Sequence, residues 1–343
     1  MKADLLLCTA ALLLATASCS EKDEPTGSTA EHAIAFSATA PKNTRAATTT
    51  ATLNSFIVYA FTGTKPLMEA TEVKRDGGSW TYSPAAYWPD SPVNFFAFSP
   101  DITGSKQITG SGTNCIPGFY NYGDIDLLYA VNIGEFEKPT PVAINFRHAM
   151  SQVSVKLSST NSTIAVRLYH VKLCNLFLKG TFDFPSETTA PDTPDVTGTW
   201  SEYSNRESLL TYYNMEGYTT LTRTPTDYTE DNLKVSFFLP QQLEQVALSD
   251  GDFTGCYIQV DCEIYDTSSG AKLWPKSDTP PYLLVPQTPC GRLIFPLRTS
   301  NVEEWKIGYS YVYNIAINNP SVLDAIGFAP TVDEYNEFTT VNP

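Results

Sequence analysis

Very few residues in this chain of 343 are placed to do chemistry, and most of them lie near its start. Cys19 follows Lys2, an apolar run over residues 5–15 and the small residues Ala15-Thr16-Ala17-Ser18. The run is too short to cross a bilayer as a retained helix and has the size of an export-signal core. A thiol directly after it is the atom on which a lipid chain would be carried. Arg45 sits in the polar run Lys42-Asn43-Thr44-Arg45-Ala46-Ala47-Thr48, where a trypsin-like protease could hydrolyse the bond to Ala46. The three histidines offer less. His32 falls before that bond, while His148 and His170 stand in apolar, strand-like surroundings and read as packing residues. Zinc-ligand spacings, Cys-x-x-Cys pairs, nucleophile elbows and phosphate loops do not occur. Asp124/Asp126 and Asp250/Asp252 are paired carboxylates, but each pair lacks the other ligands of a calcium loop and reads as solvated turn residues. No catalytic residue, metal or cofactor is therefore expected.

The elements that carry these residues are strands. Ala33-Ile34-Ala35-Phe36-Ser37-Ala38-Thr39 near the start and Ala325-Ile326-Gly327-Phe328-Ala329-Pro330-Thr331 near the end share one alternating phrase. Ile and Phe two residues apart leave a strand on one face, with small residues on the other. Both phrases suit the same slot in a sheet. Hydrolysis after Arg45 would remove the first phrase and leave a trough that the second, from a neighbouring chain, could fill by strand addition. Ile326, Phe328, Pro330 and Val332 recur at every second residue and would enter such a trough together. Their burial with several ladder hydrogen bonds amounts to a gross gain on the order of 10 kcal/mol. The alternative, two unrelated strands of an ordinary sandwich, stays open at this point.

The leader has further features. Ala15-Thr16-Ala17-Ser18-Cys19 resembles a bacterial lipobox, and Ser20-Glu21-Lys22-Asp23-Glu24 looks like an acidic tag for surface export. A conventional secretory signal cut elsewhere is the other reading. Loss of the first 45 residues removes four of 22 basic and five of 37 acidic residues, leaving 18 against 32 and a net charge of −14. Such a surface repels nucleic acid and anionic membranes, so a membrane is met only through the precursor's lipid. Of seven cysteines, Cys8 leaves with the signal and Cys19 carries lipid, so five remain and cannot all pair. Cys256 and Cys262 share one strand about 20 Å apart, too far to bridge. Reduced thiols packed as small hydrophobes are expected, with Cys115, Cys174 or Cys290 as bridge candidates.

Strand patterns recur along the whole chain: 53–61, 93–100, 124–130, 142–157, 164–178, 234–240, 257–265, 292–297 and 309–317. Pro and Gly interrupt them, and neither βαβ crossovers nor long amphipathic helices are evident. The reading is all-β, with two antiparallel β-sandwich domains meeting between residues 146 and 147.

Seven stretches in order resemble the fimbrillin-like subunits, or type V pilins, of the Bacteroidia. They are the Ile34/Phe36 strand, Thr44-Arg45-Ala46, Phe56-Ile57-Val58-Tyr59-Ala60, Tyr87-Trp88-Pro89 before Phe95-Phe96-Ala97-Phe98-Ser99-Pro100, Phe146-Arg147-His148-Ala149-Met150-Ser151-Gln152-Val153, Phe238-Leu239-Pro240-Gln241-Gln242 and Trp305-Lys306-Ile307-Gly308-Tyr309-Ser310-Tyr311. One departure is that Val332-Asp333-Glu334 runs on to Tyr335 where a Trp often follows in that family. The resemblance implies two transthyretin-like sandwiches in tandem: a signal peptide over 1–18, a propeptide with the first strand over 19–45, domains over 46–146 and 147–320, and a donor tail over 321–343. It also implies lipidation at Cys19, export through the periplasm to the outer membrane and cell surface, and cleavage between Arg45 and Ala46 by an arginine-specific protease. Ile34 and Phe36 would leave with the removed strand, and Ile326, Phe328, Pro330 and Val332 would form the donor. The implied partners are other copies of the chain, related pilin subunits, and host or bacterial surface ligands. A second function class is a monomeric surface lipoprotein that binds glycans through Trp80, Trp88 or Trp274.

Overall fold

A computed structural model describes residues 33–41, 48–137, 141–214, 217–229, 233–288, 290–318 and, by backbone pairing alone, 327–334. Among these residues every regular element is a strand except one turn of 3₁₀ helix at Pro281–Leu283. The all-β reading holds.

The first half is organised by a six-stranded antiparallel sheet in the order Ser79–Thr81, Lys65–Asp76, Ser55–Thr62, Val93–Ser99, Leu128–Glu135 and Arg147–His148. Its central strands are covered on both faces, which explains their unbroken apolar sequence. Phe56, Val58, Phe95, Ala97, Leu128 and Ala130 enter one core. Ile57, Phe96, Phe98, Tyr129 and Val131 point the other way, into a second core shared with Met150, Phe182, Phe184, Phe237 and Leu239 of the second half.

A seven-stranded sheet and a five-stranded sheet enclose the third core. The spine of the former is Ile164–Asp183, a 20-residue strand paired with Thr199–Tyr213 on one side and Tyr257–Asp266 on the other. The far end of this spine also takes Cys115–Tyr120 from the first half of the chain. Arg147–His148, just past the expected boundary, pair with Leu128–Tyr129 of the six-stranded sheet. The two halves are thus tied by a common core and by strands crossing in both directions.

Several buried polar groups at this junction are held by multiple hydrogen bonds, as a dry environment favours. Asn121 donates to the carbonyls of Ile125 (2.9 Å) and Phe237 (3.1 Å) and accepts from the amides of Gly123 and Ile125. Gly123 has a φ of +93° and a neighbour, Val235 Cγ1, that would lie 2.5 Å from any Cβ, so both conformation and space demand glycine. The buried guanidinium of Arg147 donates to the carbonyls of Pro194 (2.7 Å), Ala190 (2.8 Å) and Thr193, fixing the Thr/Pro/Asp loop.

Three features depart from the sequence reading. Two pairings are parallel: Phe36–Thr39 with Val142–Asn145, and Ser151–Ser158 with Tyr309–Ala316. The stretch 234–240 contributes only Phe237–Phe238 as strand. Lys65–Asp76 and Thr199–Tyr213 are long strands, although their exposed, charged stretches hide the alternation.

Candidate functional site

The leading strand has the alternation its sequence promised. Ile34, Phe36, Ala38 and Ala40 are buried, while Ala35, Ser37 and Thr39 face outward. Val142–Asn145 has the same large-and-small rhythm, and the two strands lie parallel with Phe36 opposite Val142 and Ala38 opposite Ile144. The amide of Val142 donates to Ala35 O at 2.8 Å and that of Phe146 to Thr39 O at 2.8 Å. Across the other edge Ile34 donates to Ala86 O at 3.0 Å, and the Tyr82 hydroxyl donates to Ile34 O at 2.7 Å. The Phe36 ring meets Phe56 and Phe95 edge-on, at centroid distances of 6.0 and 5.8 Å, and Tyr82 at 5.5 Å. Loss of this strand would open a trough floored by those rings and edged by the amides of Val142 and Phe146. Burying Ile or Phe there contributes about 1.5–3 kcal/mol each.

On the body side of the expected cut the chain is pinned at once. The amide of Thr48 donates to Asp126 Oδ2 at 2.7 Å, and Asp126 Oδ1 lies 2.8 Å from His148 Nδ1. Asp126 is therefore a buried anchor and not the solvated turn residue the sequence suggested. The local pattern could not show this, because its partners lie 78 and 22 residues away. His148 is fully buried, in keeping with a packing role. Arg45, Ala46 and Cys19 lie outside the described residues.

The trailing strand, Gly327–Glu334, runs antiparallel to Tyr309–Ala316 at the edge of the five-stranded sheet. Phe328, Pro330 and Val332 stand opposite Ile315, Tyr313 and Tyr311 of the same chain. Ile326 lies outside the described residues. Within a single chain the leading and trailing phrases therefore occupy different sheets, one against the first core and one beside the third.

The remaining sequence candidates are packing residues. Trp274 is buried; Trp80 and Trp88 are half-buried, with ring centroids 5.1 Å from Phe56 and 6.0 Å from Phe95. Cys115, Cys174, Cys256, Cys262 and Cys290 are free and buried. Burial pushes the Cys174 thiol up to about 11 and that of Cys290 up to about 12, so these two remain protonated and inert at neutral pH. Among the described residues no group of three or more His, Cys, Asp or Glu side chains could hold a metal.

The chain is similar to several solved structures. They include a protein assigned to cell adhesion from Bacteroides uniformis, at 13% identity over 88% of this chain and 99% of that one, with a TM-score of 0.49. A fimbrial protein from Bacteroides vulgatus aligns at 15% identity over 89% and 99%, with a TM-score of 0.46. The tip fimbrial protein Mfa3 from Porphyromonas gingivalis, with C-terminal truncation, aligns at 10% identity over 82% and 94%, with a TM-score of 0.38. No curated protein matches in sequence. A family model described as fimbrillin-like matches residues 44–334, and the chain belongs to that fimbrillin-like family.

Proposed function

We propose that the chain is a structural subunit of a surface fimbria, a stalk or adaptor piece that polymerises by strand exchange and supports adhesion. It is exported through the periplasm as a lipoprotein acylated at Cys19 and carried to the outer membrane. An arginine-specific protease cuts between Arg45 and Ala46, and the segment bearing Ile34 and Phe36 departs. The trailing segment of another copy, or of a related pilin, then enters the vacated trough with Ile326, Phe328, Pro330 and Val332. On this reading residues 46–146 and 147–320 are the two transthyretin-like sandwiches, and 321–343 is the donor.

The supporting observation is the fit of the leading strand. Its four inward side chains close a core that the rest of the first half leaves open along one side. The same spacing recurs in the trailing segment. Replacement of Arg45 by Ala tests the reading: it should leave a lipid-bearing monomer that accepts no donor. Normal fimbria yield from Arg45→Ala cells, with the leader still attached to the assembled subunit, would refute it.

A further inference from the structure

The outer face of the seven-stranded sheet carries an arginine held by rings and not by acids. Val166 and Leu168 enter the third core, so Arg167 between them points outward, opposite Glu263 on one side of the spine and Thr220 on the other. Opposite charges that face each other across a ladder ordinarily pair. Here Glu263 is taken by others: Lys272, the Tyr169 hydroxyl at 2.7 Å and the Tyr265 hydroxyl at 3.1 Å. The Arg167 guanidinium lies instead against two rings, 4.0 Å from the centroid of Tyr265 and 4.6 Å from that of Tyr218. Among the described residues no carboxylate pairs with it, and its side-chain N–H groups make no hydrogen bond.

Tyr218 adjoins Thr219–Thr220, which pair with one edge of the spine, and Tyr265 belongs to the strand on the other edge, so the guanidinium is clasped by rings from both neighbours. The bond to Glu263 fixes the Tyr265 ring, and Tyr169 packs on Tyr218 with centroids 6.0 Å apart. Rings interact with the flat faces of a guanidinium, whereas its N–H donors radiate in its plane, so this clasp leaves the donors at its rim. Two of them in parallel match the two oxygens of a carboxylate. Tyr218 is 43% exposed, and Tyr213, 41% exposed and stacked on His170 at 5.1 Å, adds a second open ring beside the same strand. In a chain with a net charge of −15, long polyanions are repelled by the surrounding surface, while a single acid group can still reach this cation. Open ring faces beside the exposed Thr220 suit a sugar, which offers an apolar C–H face and hydroxyls together.

We propose that Arg167, clasped by Tyr265 and Tyr218, binds the carboxylate of an acidic sugar, a hexuronate unit of an oligosaccharide, with the open ring faces of Tyr218 and Tyr213 beneath that unit and its neighbour. The sheet that carries this site includes neither the leading nor the trailing strand, so the binding does not depend on strand exchange.

The experiment is calorimetric titration of the full chain with a tetramer of galacturonic acid, against maltotetraose as the neutral counterpart and tetra-aspartate as the acidic peptide counterpart. The uronate tetramer should bind at least tenfold more tightly than either. Arg167→Gln should abolish that binding, and Arg167→Lys, which keeps the charge but loses the planar fork, should weaken it by about tenfold. Tyr218→Phe keeps the ring and should bind as wild type, whereas Tyr218→Ala should weaken binding by about tenfold. Because Tyr218 is exposed, both of its variants should melt with the wild-type chain by circular dichroism, so a loss of binding there is not a loss of fold. No binding of the uronate tetramer at millimolar concentration, or unchanged binding in Arg167→Gln, overturns the proposal. Equal affinity for maltotetraose overturns it because no carboxylate would then be read, and equal affinity for tetra-aspartate because only charge would be.

Discussion

Phe36 is a side chain whose role the proposed cleavage would abolish. It is buried against Phe56, Tyr82 and Phe95, and truncating a buried phenylalanine costs about 3–5 kcal/mol. Phe36→Ala should therefore destabilise the uncut chain by that amount. It should leave a chain cut after Arg45 unchanged, because the residue has gone; urea unfolding of the two forms checks both outcomes. Glu263 provides a second, pH-dependent case. Its side chain is almost wholly buried, and burial pushes its pKa up. Hydrogen bonds from Lys272, Tyr169 (2.7 Å) and Tyr265 (3.1 Å) outweigh that and hold it below the usual carboxylate range. A depressed folded-state pKa adds stability that is complete above the unfolded value of 4.5 and drains away as the pH falls through the folded one. Glu263→Gln should cost about 1.5–3 kcal/mol at pH 7. It should also flatten the loss of stability below pH 4.5, measured by denaturant titrations at pH 7 and pH 3.

Among the elements, the strands easiest to read were those buried on one face or both. Phe56-Ile57-Val58 and Phe95-Phe96-Ala97-Phe98 are apolar without interruption because two cores compete for them. The leading strand alternates because only one core does. Lys65–Asp76 and Thr199–Tyr213 escaped notice for the opposite reason. Exposed over much of their length, they show no apolar rhythm and are held by ladder bonds to the strands that precede them, Ser55–Thr62 and Ile164–Asp183. The candidate site was legible on one side only. Ile34 and Phe36 announced themselves by spacing, but the groups that receive them, such as the Ala86 carbonyl, the Tyr82 hydroxyl and the Val142 amide, are brought together by topology. The parallel pairing with Val142–Asn145 was hidden for the same reason, since more than 100 residues separate the partners. The trailing strand carries its own test. A chain truncated at Asp324 should accept a donor yet offer none. Added to wild-type subunits, it should shorten fimbriae in proportion to its share, as seen by electron microscopy; unchanged lengths would count against donation by this segment.

For the whole molecule, the shared core between the halves means that removal of the leading strand should not scatter the fold. The six-stranded sheet keeps its second face against Phe182, Phe184 and Phe237, and Thr48 keeps its anchor on Asp126. A chain beginning at Ala46 should therefore keep its β-sheet circular dichroism while binding a hydrophobic dye at the exposed Phe56, Phe95 and Phe146. A synthetic peptide of residues 323–341 should displace the dye; displacement by a scrambled peptide of equal composition would show the trough to be merely sticky.

The leading and trailing strands lie in different sheets of one subunit, so a joint made by exchanging them is never reciprocal. In the proposed exchange each copy would give with one surface and receive with another, an arrangement that need not close on itself and so would produce an open thread. Such a thread has a sense. One extremity presents an empty receptacle and the other an uncommitted ribbon, and an agent that plugs either would arrest growth from that extremity alone.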